Sequence, residues 1–359
     1  MRTGLSAAAV RALVWVHQRI RALADRLAPA ELLLSERITG VARTALAGAL
    51  VRSGLAERVD DRPRPVRELA EGLQDVHTAE RILRAAAALG LVRGSTRGFR
   101  RSRLTPGLQT SGRRTLGPLA VYFASESNLR AWSRFSEAVG TGEVPFRRAH
   151  GRGVWEHLAG SEEERALFAR AMDAVTRLDA EVVVRTPAFD GLEGLCDVAG
   201  GTGGLLEAAL VAHPALQGVL VDAPAVVQLA RDRFERSGLL PRVRLEPADV
   251  FLEVPAGLSA YVLKDVLHDW DDTRALTLLE VVRRAIPPGG RLLLVELLVE
   301  GSPAAELVAL VDLQMLAVTD GGRQRSRAEL GELLRRAGFS PPVLHRTPSP
   351  SSVLVSRPV

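Results

Sequence analysis

The sequence predicts an α/β fold: a parallel sheet covered by helices on both faces, preceded by a mostly helical segment of winged-helix pattern. Three observations carry this expectation. From Leu195 onward, short apolar runs of strand length alternate with helix-length segments, the order of a doubly wound parallel sheet. Before residue 110, Ala, Leu and Val recur at helix spacing with arginines between them. The 359 residues, 47% hydrophobic and 25% charged, suffice for two domains with packed cores.

In chain order, Val10–Leu27 and Ala42–Leu55 read as helices. Pro65–Leu73, Thr78–Leu89 and Gly90-Leu91-Val92 follow as helix, helix and short strand. Gly94–Arg103 is a polar excursion that returns at Leu104-Thr105-Pro106, so the stretch is a helix pair closed by a β-hairpin. Its arginines (Arg93, Arg97, Arg100, Arg101, Arg103) would suit duplex phosphates. The preceding helix, Ala79–Ala88, is poor in base-reading Asn and Gln and resembles a packing helix.

Residues 115–190 read as a helical middle section containing Trp132, Phe135, Trp155, Phe168 and Met172. Phe168 and Met172 stand at i and i+4 and share a helix face, which belongs either to a core or to a pocket for a flat apolar ligand. Thr186–Gly194 reads as a linker. The expected division is 1–112, 113–190 and 191–359.

Strands are predicted at Leu195–Val198, Gly218–Val221, Val243–Glu246, Ala260–Leu263 and Arg291–Glu296, with helices at Gly204–Ala212, Ala223–Ser237 and Thr273–Ala285. Asp222-Ala223-Pro224 offers an acid to cap the second of these helices, and Pro287-Pro288-Gly289-Gly290 stops the third. Val343-Leu344 and Val353–Val355 are expected as edge strands.

The formal charge of +5 arises from arginine spread along the chain, which fits a solvated surface better than a nucleic-acid patch. No uncharged apolar run reaches the ~18 residues needed to cross a bilayer, so neither membrane nor nucleic acid is an expected partner. Leu5–Val16, interrupted by Arg11, does not read as a signal peptide. Cys196, the one cysteine, lies in an apolar strand and reads as a small buried thiol in a reduced, cytoplasmic setting. His17, His77, His150, His157, His213 and His345 are scattered without ligand spacing, so no metal is expected.

The chemistry concentrates at the strand ends. Asp197-Val198-Ala199-Gly200-Gly201-Thr202-Gly203-Gly204 follows a strand and opens a helix, where glycines let a ligand approach the backbone at the carboxyl edge of the sheet. Asp222, 22 residues beyond Gly200, ends the next strand and suits ribose hydroxyls. Asp249, ending the third, suits an adenine amino group, with Val250 and Phe251 against the ring. The turn has no phosphate-binding lysine and three acids surround it. The expected ligand is therefore a nucleoside carrying positive charge. S-adenosylmethionine fits, with adenine, ribose, ammonium and sulfonium and no phosphate. Lys264, the only lysine among 47 Lys and Arg residues, marks a place where a compact point charge is wanted instead of a planar fork. It stands four residues before His268 in Leu263-Lys264-Asp265-Val266-Leu267-His268-Asp269-Trp270-Asp271-Asp272.

With these motifs the chain resembles the class I methyltransferases, and more narrowly the small-molecule O-methyltransferases that include plant caffeate and flavonoid enzymes and bacterial polyketide-tailoring enzymes. The resemblance covers almost the whole chain. It implies a Rossmann-like catalytic domain and an N-terminal winged-helix dimerisation domain, hence a homodimer acting on a small aromatic acceptor. It places cofactor contacts on the Ala199 backbone, Asp222, Asp249, Val250 and Lys264, in the turn that holds Asp197, Gly200, Gly201 and Gly203. It puts the general base at His268, its supporting carboxylate at Glu296, and Asp269 beside the acceptor hydroxyl. Met315 and Thr319 fall on acceptor-pocket positions, which Trp155, Phe168 and Met172 extend.

Two departures stand out: Ala199 replaces the first glycine of the turn, and Gln324 stands where plant members have a second glutamate. An amide there is expected to orient the imidazole without stabilising its charge. His268, taken as neutral near pH 7, would remove the acceptor proton, a contribution of about 10²–10⁴ in rate. Two other readings stay open: a cofactor-binding enzyme of this fold that hydroxylates, decarboxylates or steers a pericyclic step, and a winged-helix DNA-binding regulator.

Overall fold

The computed structural model describes residues 7–110, 112, 114–300 and 304–359. They form two compact units, one of residues 22–130 with 158–175, the other of residues up to 21 with 131–157 and 176–359. These units differ from the three consecutive segments expected. Helix Glu162–Val183 runs through without a Gly or Pro to break it and belongs to both.

In the smaller unit, helices Gly40–Arg52 and Val76–Ala88 pack with the antiparallel hairpin β1 (Val92–Ser95) and β2 (Gly98–Arg101). A hairpin was expected in this stretch, and β1 and β2 form it. Asp75 starts helix Val76–Ala88 by accepting the amides of His77 and Thr78 at 2.9 and 3.2 Å. Ala79, Leu83 and Ala86 of that helix are buried with Leu50, Leu55, Leu69, Val92 and Phe99. Helix Ala30–Ile38 escaped the sequence reading because it buries no residue, so no apolar stripe marks it.

The larger unit is built on a sheet of β3 (Gly194–Val198), β4 (Gln217–Asp222), β5 (Val243–Pro247), β6 (Ala260–Lys264), β7 (Arg291–Leu297), β8 (Val343–Arg346) and β9 (Ser351–Ser356), in the order β5-β4-β3-β6-β7-β9-β8. The first five strands are parallel, and β9 runs antiparallel to both of its neighbours. Alternate residues feed the two faces. Cys196, Val198, Tyr261, Leu263, Leu292 and Leu294 join one core, and Leu195, Leu220, Val262, Leu293 and Val295 the other. Each such side chain, fully buried, stabilises the fold by roughly 1.5–3 kcal/mol.

The chain steps outward from β3 to β5, then returns to place β6 on the other side of β3. The carboxyl ends of β3 and β6 therefore flank the reversal of strand order, where open α/β sheets present their ligand crevice.

Two expectations change. Asp222 does not cap the next helix: Ala223 occupies that position with no side-chain bond, and Pro224 fixes the first turn. β8 is an edge strand, but β9 lies inside the sheet, since Val353 and Leu354 are fully buried between two partners. Helix Ala305–Val318 was not anticipated. It is apolar nearly all round, with Val308, Ala317 and Val318 buried and Leu307, Leu310 and Leu316 exposed, which erases the periodicity. Among the described residues no helix is long and apolar enough to cross a membrane.

Candidate active site

The turn after β3 folds back over its own acid. A Cβ on Gly200 would fall 2.7 Å from Asp197 Cγ, and one on Gly203 would meet the Phe234 ring at 2.7 Å, so neither position accepts a side chain without movement. Gly201, at φ 59°, donates its amide to Asp222 Oδ2 at 2.8 Å, and Asp222 Oδ1 accepts from Ala223 at 2.7 Å. Asp222 thus joins the ends of β3 and β4. Asp197 is buried, and its Oδ2 has no hydrogen-bond partner among the described residues. Burial, then the neighbouring Asp222 charge, pushes its pKa up to about 7. Asp249 is exposed and accepts the Phe251 amide at 2.9 Å, which shapes the loop carrying half-buried Val250.

Ala199 sits in the left-handed region at φ 54°, where a Cβ costs about 1–2 kcal/mol. Ala199→Gly is therefore expected to stabilise the protein by about 1 kcal/mol, after allowance for the greater freedom of glycine in the unfolded chain. A thermal melt tests this, and an unchanged or lower Tm would refute it.

After β6 the chain turns at Asp265, φ 53°, into a short 3-10 helix, Leu267–Asp269. Glu296, near the end of β7, organises this turn. Its Oε1 accepts the amides of Val266 and Leu267 at 3.3 and 3.0 Å, and its Oε2 lies 3.0 Å from His268 Nδ1. An Nδ1–H donated to Glu296 leaves Nε2 as the free nitrogen, 3.5 Å from Asp269 Oδ1. Burial pulls the imidazole pKa down, but the carboxylates of Glu296, Asp269 and Asp265 outweigh it and push it up to about 10. Burial, partly offset by His268, pushes Asp269 up to about 7. The carboxylates around the ring thus favour the charged imidazole in the free protein, where a neutral one was expected.

Arg325 fixes the same turn from the other side. Its buried guanidinium donates to the carbonyls of Leu267 and Trp270 at 2.6 and 2.7 Å and to Asp272 at 2.8 Å. One arginine among so many carries no signal in the sequence, so this role shows only in the fold.

The side chain of Lys264 is buried as well. Its ammonium pairs with Asp265 and lies 3.5 Å from Asp179 Oδ1, while Asp179 Oδ2 accepts from Ser351 Oγ at 2.5 Å. Two carboxylates hold the ammonium charged, its pKa raised although burial opposes this. The lone lysine thus occupies a confined site suited to a point charge. Asp265, His268 and Glu296 offer ligand atoms within 4.8 Å of one another. The lysine on Asp265 and two amides on Glu296 already occupy oxygens that a cation would need, so the cluster reads as a hydrogen-bonded base.

The expected acceptor residues separate. Trp155 stacks on Trp270 with centroids 5.4 Å apart, and Phe251 meets Trp270 edge-on at 4.8 Å. Arg274 covers Phe251 and Trp270 at 4.2 and 4.6 Å. Met315 is buried. Thr319 donates its hydroxyl to the Met315 carbonyl at 2.8 Å and accepts the Gly322 amide at 3.0 Å, so it closes the turn after its helix and presents no free hydroxyl. Phe168 and Met172 belong to the smaller unit, where Phe168 packs edge-on against Tyr122. Gln324 is buried, and neither pole of its amide has a partner among the described residues. It does not orient the imidazole by a hydrogen bond, contrary to expectation.

A left-handed turn over a buried acid with one unpartnered oxygen, two further acids at strand ends and no lysine in the turn suit a cationic nucleoside and would repel phosphate. Such acceptor oxygens suit the amino groups and ribose hydroxyls of S-adenosylmethionine.

Comparison with known proteins agrees with this chemistry. A family model described as an O-methyltransferase domain matches residues 132–340. The chain is 32% identical over 315 residues to the mitomycin biosynthesis 6-O-methyltransferase of Streptomyces lavendulae, covering 87% of this chain and 90% of that one. It is 32% identical to a phenazine O-methyltransferase of Lysobacter antibioticus, covering 92% of this chain and 97% of the relative. Among solved structures, human N-acetylserotonin methyltransferase in complex with SAM superposes with a TM-score of 0.83 at 26% identity, over 92% of this chain and 98% of that one.

Proposed function

Because the chain belongs to the S-adenosylmethionine-dependent O-methyltransferase family, we propose that it methylates a hydroxyl of an aromatic small molecule of specialised metabolism with His268 as general base. The observation that carries the assignment of the base is the Glu296–His268 pair at 3.0 Å beside the β3–β6 reversal. Neither alternative, tailoring without methyl transfer or duplex regulation, finds support in the relatives.

When bound, S-adenosylmethionine supplies a methyl group activated by its sulfonium. Asp222 and the Gly200–Gly203 backbone would hold its ribose and amino acid portion, with Asp197 toward the ammonium and Asp249 and Val250 toward the adenine. The Lys264 backbone would join them, because its side chain is engaged by Asp179 and Asp265. Glu296 keeps the imidazole turned so that Nε2 takes the acceptor proton. Asp269, close to Nε2, then stabilises the imidazolium. Trp155 and Met315 would contact the acceptor ring.

The sign of the pH dependence follows. kcat/KM reports ionisations of the free enzyme, and only deprotonated His268 accepts a proton. Activity is expected to rise with pH toward about 10. Glu296→Gln removes the chief charge that raises this pKa, so the rising limb should move to lower pH while kcat falls. A pH profile unchanged by the substitution would exclude this coupling.

We also propose a homodimer, built through residues 1–112. Trp15, Ile20, Leu23 and Leu27 on helix Ala7–Leu27 and Leu32, Leu34 and Ile38 on the next are exposed, a run of apolar surface that suits a subunit contact. Light scattering should give twice the 38.6 kDa chain mass. A reduced cytoplasmic setting is proposed from the single buried cysteine. The assay that tests the function is incubation with methyl-labelled S-adenosylmethionine and a panel of phenols. Product that requires the cofactor supports the proposal, and label released only to water would refute it.

A further inference from the structure

Gln324 is 3% exposed, and both its amide nitrogen and its amide oxygen lack hydrogen-bond partners among the described residues. Such an arrangement is costly, because an internal amide without partners loses its bonds to water and gains nothing in return. Its chain neighbours lie against the turn that carries the base. The Gln324 backbone amide donates to Asp312 Oδ1 at 2.7 Å, on the helix that also carries Met315. Gly322, two residues earlier, lies so close to the His268 turn that a Cβ would come 2.5 Å from the His268 carbonyl oxygen. Arg325, the next residue, pairs with Leu298 just past Glu296 and grips the His268 turn. Arg323 and Arg325 both reach Asp272.

We propose that Gln324 is a specificity-determining residue that recognises a second polar group adjacent to the hydroxyl being methylated. A primary amide donates and accepts at once. Its complement is a neighbouring hydroxyl, or a carbonyl beside the reacting hydroxyl. The acceptor class is therefore an ortho-dioxygenated arene, and a simple phenol leaves the amide unmatched. The inference rests on the O-methyltransferase reading and refines it, since the base acts on one oxygen while Gln324 holds the other.

The test is calorimetric, using the protein saturated with S-adenosylhomocysteine and two probes, naphthalene-2,3-diol and 2-naphthol. They differ by one hydroxyl. Wild type should bind the diol about 10- to 100-fold more tightly, the discrimination that one or two hydrogen bonds to an otherwise unpaired group provide. Gln324→Met, which keeps the length and removes both poles, should bring the two affinities together with S-adenosylhomocysteine affinity unchanged. Should that variant misfold, Gln324→Leu serves, and methyl transfer to each probe by wild type gives a parallel ratio. Equal affinities in wild type, no binding of either probe, or a preference that survives removal of the amide would each overturn the proposal. Failure of S-adenosylhomocysteine itself to bind would instead count against the O-methyltransferase reading.

Discussion

His268→Ala is expected to lower kcat for methyl transfer by about 10²–10⁴, the usual contribution of a positioned general base, while affinity for S-adenosylhomocysteine stays close to that of wild type. The separation follows from the geometry. His268 bonds to Glu296 and neighbours Asp269, whereas the residues suited to the nucleoside lie on the Gly-rich turn and the ends of β4 and β5. The turn around His268 should survive the change, because Glu296 still accepts the Val266 and Leu267 amides and Arg325 still holds the Leu267 and Trp270 carbonyls. Residual activity is expected, since alignment of the reactants alone lowers the barrier by several kcal/mol, up to roughly 7–11. Steady-state kinetics with calorimetry checks this. A variant that keeps full kcat, or that loses cofactor affinity in step with activity, would remove His268 from the role of base.

Asp222→Ala should have the converse effect. Its two oxygens already accept the amides of Gly201 and Ala223 at 2.8 and 2.7 Å, and each retains lone pairs for a ribose hydroxyl. Hydrogen bonds to a charged group contribute about 1.5–3 kcal/mol each, so loss of this carboxylate should weaken S-adenosylhomocysteine binding by about 10²-fold or more. Asp222→Asn keeps one acceptor and should weaken it less. The order wild type, Asn, Ala in affinity is the specific expectation. Equal affinities for wild type and the alanine variant would show that the ribose does not rest on this residue.

Much of the catalytic unit was legible because its signals are local. Glycines mark the turn after β3, an acid ends each of the next two strands, and the alternation of strand and helix fixes a parallel sheet. Helix Gly204–Ala212 falls on the residues expected. The functions of side chains that act over long sequence distances were not legible. Arg325 reaches back to Leu267, and Asp179 reaches forward to Lys264 and Ser351. Neither pairing leaves a trace in composition or spacing. The summed pull of Glu296, Asp269 and Asp265 on the His268 charge is likewise set by the folded turn, whose backbone reaches φ 53° at Asp265. For Gln324 the sequence shows only an amide where relatives carry a glutamate; its burial without partners appears only in the fold.

The central claim, a methyl donor held along the carboxyl rim of the sheet with His268 serving its acceptor, is tested most directly by product analysis. Wild type, His268→Ala and Asp222→Ala are each given methyl-labelled S-adenosylmethionine and naphthalene-2,3-diol under single-turnover conditions. The account predicts label on the naphthol oxygen with wild type. It predicts a large rate loss at saturating cofactor for His268→Ala, and for Asp222→Ala a deficit that higher cofactor concentration restores. Label that never reaches oxygen, or a His268→Ala rate equal to that of wild type, would contradict it.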